Sequence, residues 1–198
     1  MESNAYVNLA WGASAQGDWS PAEEYVLKGL ALTKEIHRPD ALAEGLVWDG
    51  HIKLGLNQPL EAEQAFRKSF EIRGELEQEA LQAESMAGLS RALLEQGNLA
   101  AAQSYVGKII EYISRDENLS GTWEPLRIYW ICYQVLQAAK DPRKGSFLKD
   151  AVNNLQNRAA EIPDKTAREH FLTNVPWHRK IMAEWELVRH QQDSDTKE

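Results

Sequence analysis

Apolar positions along the chain recur three or four residues apart in a series of segments separated by short polar turns. Over 81–96, Met86, Leu89, Leu93 and Leu94 fall at helical spacing, and over 123–139 Ile128, Ile131, Val135 and Leu136 do the same. Similar segments span about Asn4–Gln16 and Asp40–Leu56. Each is followed by a turn and a second helical stretch. Those second stretches resemble one another: GDWSPAEEYVLKGLAL at 17–32, NQPLEAEQAFRKSFEI at 57–72 and GNLAAAQSYVGKIIEY at 97–112. Gly17, Asn57 and Gly97 align, as do Ala22, Ala62 and Ala102, so the period is 40 residues. AKDPRKGSFLKDAVNNL at 139–155 is a fourth, looser copy at an offset of 42, with Lys144 at the place of the alanine. No β-rich run is bounded by hairpin turns.

The repeating element is therefore helix, tight turn, helix. Gly17, Asn57 and Gly97 suit the left-handed conformation that closes a preceding helix. Ser20-Pro21-Ala22-Glu23 reads as a capping box with proline in the first turn, and Asp141-Pro142 as a cap followed by proline. Pro39 marks a boundary between copies. Small residues stand where the two helices of a copy should cross: Ala10, Gly50, Ser90 and Cys132 on the first helices, Ala22, Ala62 and Ala102 on the second. The expected pairs occupy about 4–38, 39–78, 79–118 and 122–162. Capping helices follow over 164–190, with Asp164 as an N-cap, and 191–198 is a polar, disordered tail. Residues 1–190 read as one domain.

These residues resemble tetratricopeptide repeat (TPR) proteins, whose helix pairs carry a small residue in each helix and a Gly–Asp-type turn between them. The roughly 40-residue spacing is similar to the longer repeats at the C-terminal ends of large bacterial signalling and regulatory ATPases. The stretch 141–181, with IPD, FL-x-NVP and HR in order, looks like the closing segment of those arrays. Lys144 and the bulky Ile109 depart from the pattern. The resemblance implies an all-α, right-handed alpha-alpha superhelix, a TPR-like solenoid of four helix pairs with a C-terminal capping helix. It further implies a concave face lined by the first helices, and a function of binding rather than catalysis.

The register places Val7, Trp11, Val47, His51, Ala87, Arg91, Tyr129 and Tyr133 on that face, flanked by Glu44, Glu84, Leu54, Leu94, Glu95 and Gln137. Trp, Tyr and Arg dominate binding hot spots, so a groove mixing Trp11, His51, Arg91 and Tyr133 could hold a peptide or partner domain. Arg91 could pair with a ligand carboxylate. Packing between neighbouring first helices is the alternative role for each of these side chains. Trp19, Trp123 and Trp185 are expected to pack between helices.

Composition narrows the function classes. The chain has 198 residues, 30 Asp+Glu against 22 Lys+Arg, a net charge of −8 and 43% hydrophobic residues. That balance fits a folded chain. It disfavours non-specific nucleic-acid binding, which needs clustered cations. The fourth copy is locally basic and the earlier ones acidic, a gradient able to steer a partner. The single Cys132 excludes an internal disulfide and a cysteine metal site. No membrane span or secretory leader is evident, so a cytoplasmic location is expected. Phosphate-loop, dinucleotide, GxSxG and HExxH motifs are absent, and His37, His51, His170, His178 and His190 are scattered. No enzymatic activity, cofactor or metal is expected.

The first helix begins within a few residues of Met1 and carries Tyr6, Leu9 and Trp11. Its edge is expected to continue a longer chain or, as the alternative, to form a homo-oligomer contact. A small-molecule inducer pocket near Trp11, Trp48 and His51 is the second alternative to protein binding.

Overall fold

The computed structural model describes residues 2–115 and 119–195. Among the described residues ten α-helices follow one another: α1 Glu2–Gln16, α2 Trp19–Glu35, α3 Pro39–Gly55, α4 Pro59–Glu75, α5 Glu79–Glu95, α6 Leu99–Ser114, α7 Pro125–Ala138, α8 Lys144–Ala160, α9 Lys165–Thr173 and α10 Pro176–Asp195. One 3-10 turn, Leu119–Gly121, lies between α6 and α7, and no strand occurs among the described residues. The expected tail is helical as far as Asp195; residues 196–198 lie outside the described residues. The chain divides into two compact units, 1–123 and 124–198.

The N-terminal unit is more regular than a 40-residue repeat requires. Its left-handed residues are Gly17, His37, Asn57, Glu77 and Gly97, with φ between 50° and 84°. Each closes a helix in the same way. The N–H of Asn57 donates to the carbonyl of Leu54 at 3.1 Å, and that of Gln58 to Lys53 at 2.8 Å; the same pair of bonds recurs at Gly17, His37, Glu77 and Gly97. These are Schellman closures, which satisfy the last carbonyls of a helix with two residues of turn. The second of those residues is also the N-cap of the next helix: Asp18, Arg38, Gln58, Gln78 and Asn98. Turns within a pair and between pairs are thus the same object, spaced twenty residues apart.

This settles the caps. Asp18, not Ser20, caps α2, and without a side-chain bond; Ser20 lies inside the first turn, so the capping box expected there does not form. The Schellman turn has already delivered the chain to its cap. Pro39, Pro59 and Pro125 stand in the first turn of their helices, where the missing N–H costs nothing. Asp164 caps α9 as expected, accepting from the N–H of Ala167 at 2.7 Å. Asp141 does not cap α8. Its carboxylate accepts from the Arg143 backbone N–H at 2.9 Å and from the Arg143 guanidinium at 2.9 and 2.7 Å, and the helix starts at Lys144.

Small residues are buried where the helices cross: Ala10, Ala22, Ala62, Ser90, Ala102 and Cys132 are fully enclosed. Two glycines do more than permit approach. The ring of Phe66 on α4 fills a slot between Gly50 of α3 and Gly88 of α5; a Cβ on either glycine would lie 2.6 or 2.2 Å from it. The indole of Trp19 covers Gly55 in the same manner. One polar link runs through this apolar seam. Ser69 on α4 donates to the Ala43 carbonyl at 2.8 Å and accepts from the Ser85 hydroxyl at 2.8 Å, joining α3, α4 and α5. Satisfied in this way, buried hydroxyls carry no desolvation penalty.

The C-terminal unit packs α7 against α8 and closes with α10 against both, α9 lying between α8 and α10. Its turn is longer. Phe147 takes the place of Ala22, Ala62 and Ala102: its N–H bonds the N-cap carbonyl of Arg143 at 3.0 Å, as that of Ala22 bonds Asp18 at 3.1 Å. Lys144 is therefore the exposed first residue of α8, not an intruder in the crossing. A phenyl ring, 5.2 Å from the ring of Tyr129, stands where the other pairs have a methyl group.

Candidate functional site

The first helices of the N-terminal unit, α1, α3 and α5, carry the face that the repeat register singles out. Its floor is apolar. Val7 packs in a cluster with Ala10, Leu46 and Trp48. Val47 packs with Leu54, Leu89 and Ala92. Both valines and Ala87 are buried. They fill the seams between successive first helices and stiffen the face from below.

A chain of rings runs through this floor and out to its surface at Trp11. Trp11 of α1 lies 6.4 Å from Trp48 of α3, Trp48 lies 6.0 Å from His51, and His51 meets Phe66 edge-on at 5.0 Å. Trp48 is buried, whereas Trp11 is 49% exposed. A half-exposed indole resting on buried aromatics is already oriented, so a ligand gains its contact area with little ordering cost.

Polar groups flank the rings. Arg91 donates to Glu95 of its own helix at 3.0 Å, which occupies the guanidinium assigned from sequence to a ligand carboxylate. Glu44 on α3 is half-buried, and burial pushes its carboxyl above the usual range against the pull of Arg73. Arg73 on α4 is 4% exposed; burial pushes its guanidinium down, opposed by Glu44, Glu84 and Asp40. Asp40 is held at about 2 by its bidentate bond to Arg38, at 2.8 and 2.6 Å. Glu84 accepts from the backbone N–H of Trp123. Trp123 itself is 64% exposed rather than packed between helices, because α7 starts beyond it at Pro125 instead of continuing the twenty-residue rhythm.

Tyr129 and Tyr133 lie in the C-terminal unit and are buried. The left-handed residue closing α7 is Lys140, the counterpart of Gly97, so the offset between α5 and α7 is 43 rather than 42. That one residue turns each side chain about a third of the way round the helix. Tyr129 falls at the position of Met86, and Tyr133 at that of Ser90, both inward-facing. The hydroxyl of Tyr133 donates to Glu184 of α10 at 2.7 Å, and Gln137 donates to the same oxygen at 3.0 Å. Nearby, Trp177 lies between two cations, Arg127 at 4.8 Å and Lys180 at 5.1 Å from its ring centre.

No group of three metal-ligating side chains occurs among the described residues. His178 is spent internally: its Nδ1 bonds the Phe171 carbonyl at 2.6 Å, and its ring lies 4.4 Å from that of Phe171. Cys132 is buried, and burial pushes its thiol far above the ordinary range. No described helix is long and apolar enough to cross a membrane.

Comparison with known proteins agrees with this architecture. Two solved structures of nearly identical TPR-like repeats, related to kinesin light chain and from Podosopora anserina, share the fold. One aligns with a TM-score of 0.60 at 16% identity, covering 100% of this chain and 99% of the other. A variant of it gives 0.58 at 15% identity, covering 98% and 96%. No curated protein matches the chain. The family model TP_0123_C, described as a C-terminal domain, matches residues 75–185, more than half of the sequence. The chain therefore belongs to the TP_0123_C C-terminal-domain family, and its own fold is that of TPR-like helix pairs.

Proposed function

We propose that this protein is a protein–protein interaction module that receives a peptide or partner segment on the face formed by α1, α3 and α5. One observation carries the reading: Trp11 stands half-exposed on a buried aromatic chain, at the position the repeat assigns to the binding face. His51 and Arg91 line the same row, over the Val7, Val47 and Ala87 floor. Tyr129 and Tyr133 are left out of this site, since the C-terminal unit encloses both. The wider setting we propose is a cytoplasmic sensor or scaffold region of a bacterial regulatory protein. The resemblance of 141–181 to the closing segment of such arrays supports it. Catalysis, nucleic-acid binding and membrane insertion form no part of the reading.

The test is a displayed random peptide library selected against the whole chain. The Kd of an enriched peptide is then measured by fluorescence anisotropy for the wild type, Trp11→Ala and Arg91→Ala. Trp11→Ala is expected to weaken binding at least about tenfold, as hot-spot aromatics do. Equal affinity for all three proteins refutes the site. A metabolite panel that changes tryptophan fluorescence, with no peptide enriched, replaces it with an inducer pocket at Trp11, Trp48 and His51.

A further inference from the structure

The repeat lays two rows across the first helices of the N-terminal unit. Trp11, His51 and Arg91 form one; Asn4, Glu44 and Glu84 form the other, seven residues earlier in each helix. Seven residues are two helical turns, about 10 Å. Within α3, Glu44, Trp48 and His51 follow at i, i+4 and i+7 on one side of the helix.

The charges on this face are unevenly committed. Arg38 is bound to Asp40, and Arg91 to Glu95. Arg73 is buried and draws on Glu44, Glu84 and Asp40 together. An anionic partner would have to take Arg38 or Arg91 from the carboxylate that already holds it, or reach the buried Arg73, which donates to Gln78. No described residue donates a hydrogen bond to the Glu44 carboxylate, and Glu44 stands one helical turn before Trp48, the partner of Trp11. The surrounding field has the same sign. Residues 1–123 hold 19 Asp+Glu against 10 Lys+Arg, whereas 124–198 hold 11 against 12. The acidic excess thus belongs entirely to the unit that carries the face, and a field of that kind accelerates encounter with cations.

We propose that the α1–α3–α5 face is specific for a basic partner segment. A lysine or arginine head is held on Glu44, and its aliphatic stem lies along Trp11, which the buried Trp48 supports from below. This rests on the interaction reading above and adds the chemistry of the partner. Both halves of such a side chain are served: a carboxylate takes the charged end, and the exposed Trp11 indole takes the stem and attracts the cation.

The experiment uses the full chain and fluorescein-labelled peptides of equal length with alternating Lys–Leu, Glu–Leu or Ser–Leu, read by anisotropy at low and physiological salt. The Lys–Leu peptide is expected to bind tightest. Glu44→Gln should weaken it about tenfold, the scale of losing a charge-assisted bond in a partly buried site. Glu71→Gln makes the same charge change on an exposed part of α4 and should alter affinity less than about twofold, because a distant exposed charge is screened. Far-UV circular dichroism confirms that both variants are folded. Equal weakening by the two variants overturns the inference, since net charge alone would then explain binding. So does a Glu–Leu peptide that binds as tightly as Lys–Leu; if Trp11→Ala abolishes that binding, the interaction site stands and only its basic preference falls. Lys–Leu binding unchanged by Trp11→Ala and Glu44→Gln, or no peptide bound at all, removes both.

Discussion

Gly88 gives a direct measure of how tightly the N-terminal unit is specified. An alanine there would place its Cβ 2.2, 2.3 and 2.6 Å from Cε1, Cδ1 and Cζ of Phe66. Two effects oppose each other. Alanine favours a helix interior over glycine by about 1 kcal/mol, and overpacking a closed core costs about 1–3 kcal/mol. The ring decides the balance. Phe66 is fully buried, and the tip of its ring also abuts Gly50, where a Cβ would lie 2.6 Å from Cζ, so the ring has little room to withdraw. Gly88→Ala should therefore lose about 1–2 kcal/mol net.

Phe66→Leu shortens the obstructing ring and by itself costs about 1 kcal/mol. Combined with Gly88→Ala it should relieve the clash, giving a coupling of about 1 kcal/mol in a double-mutant cycle. Gly107→Ala and Gly145→Ala are the controls. Nothing lies within 4 Å of a Cβ at either position, so both should gain about 0.5–1 kcal/mol from helix propensity. Urea unfolding, followed by both far-UV circular dichroism and tryptophan fluorescence, supplies the values. A Gly88→Ala protein as stable as wild type, or an additive cycle, would refute the slot.

Glu77 holds a left-handed φ of 55°. Glu77→Gly should stabilise by about 1 kcal/mol, as a side chain in that region costs 1–2 kcal/mol that glycine does not incur; thermal denaturation with no gain would speak against the Schellman turn. His178 is buried, which holds its imidazole below the ordinary value despite the bond to Phe171, with Arg158 adding to the depression. A depressed value means that the unfolded chain binds the proton more readily. Stability from this group is therefore complete above the ordinary histidine range, about pH 6.5, and is lost as pH falls below it. His178→Asn should flatten the stability–pH curve in that window; an unchanged slope in urea titrations would dismiss the assignment. Cys132 should ignore an aromatic disulfide reagent in the native protein and react once unfolded; rapid labelling of the native chain would contradict its burial.

Legibility in the sequence followed residue type. Gly17, Asn57 and Gly97 announce the left-handed turn because they tolerate it. His37, Glu77 and Lys140 adopt it under compulsion from the flanking helices, and nothing in their chemistry advertises the fact. The 40-residue period was visible because the paired helices differ in composition, while the twenty-residue rhythm beneath it lies in hydrogen bonds that any side chain permits. Ala10, Ala22, Ala62, Ser90 and Ala102 were readable as crossing points because smallness is itself the signal. The Phe66 slot was not, since it needs three helices to be placed together. In the last repeat the turn lengthens and α7 shifts by one residue. A copied register then points at Tyr129 and Tyr133, the counterparts of the inward-facing Met86 and Ser90.

The same residue types have opposite fates in the two units, and the proposed binding site rests on that difference more than on the fold. In the C-terminal unit the aromatic and amide groups of α7 are consumed internally: Tyr133 and Gln137 share Glu184, and Arg127 lies over Trp177. Such bonds close a face, because a partner would have to break a satisfied contact to use it. In the N-terminal unit the largest aromatic on the corresponding face, Trp11, keeps half its surface in water while its neighbours are fixed. Exposed apolar surface held rigid is costly to leave uncovered and gains most when covered. Any partner should therefore engage α1, α3 and α5. Substitutions at Tyr133 or Glu184 should lower stability without changing affinity, whereas Trp11→Ala should do the reverse.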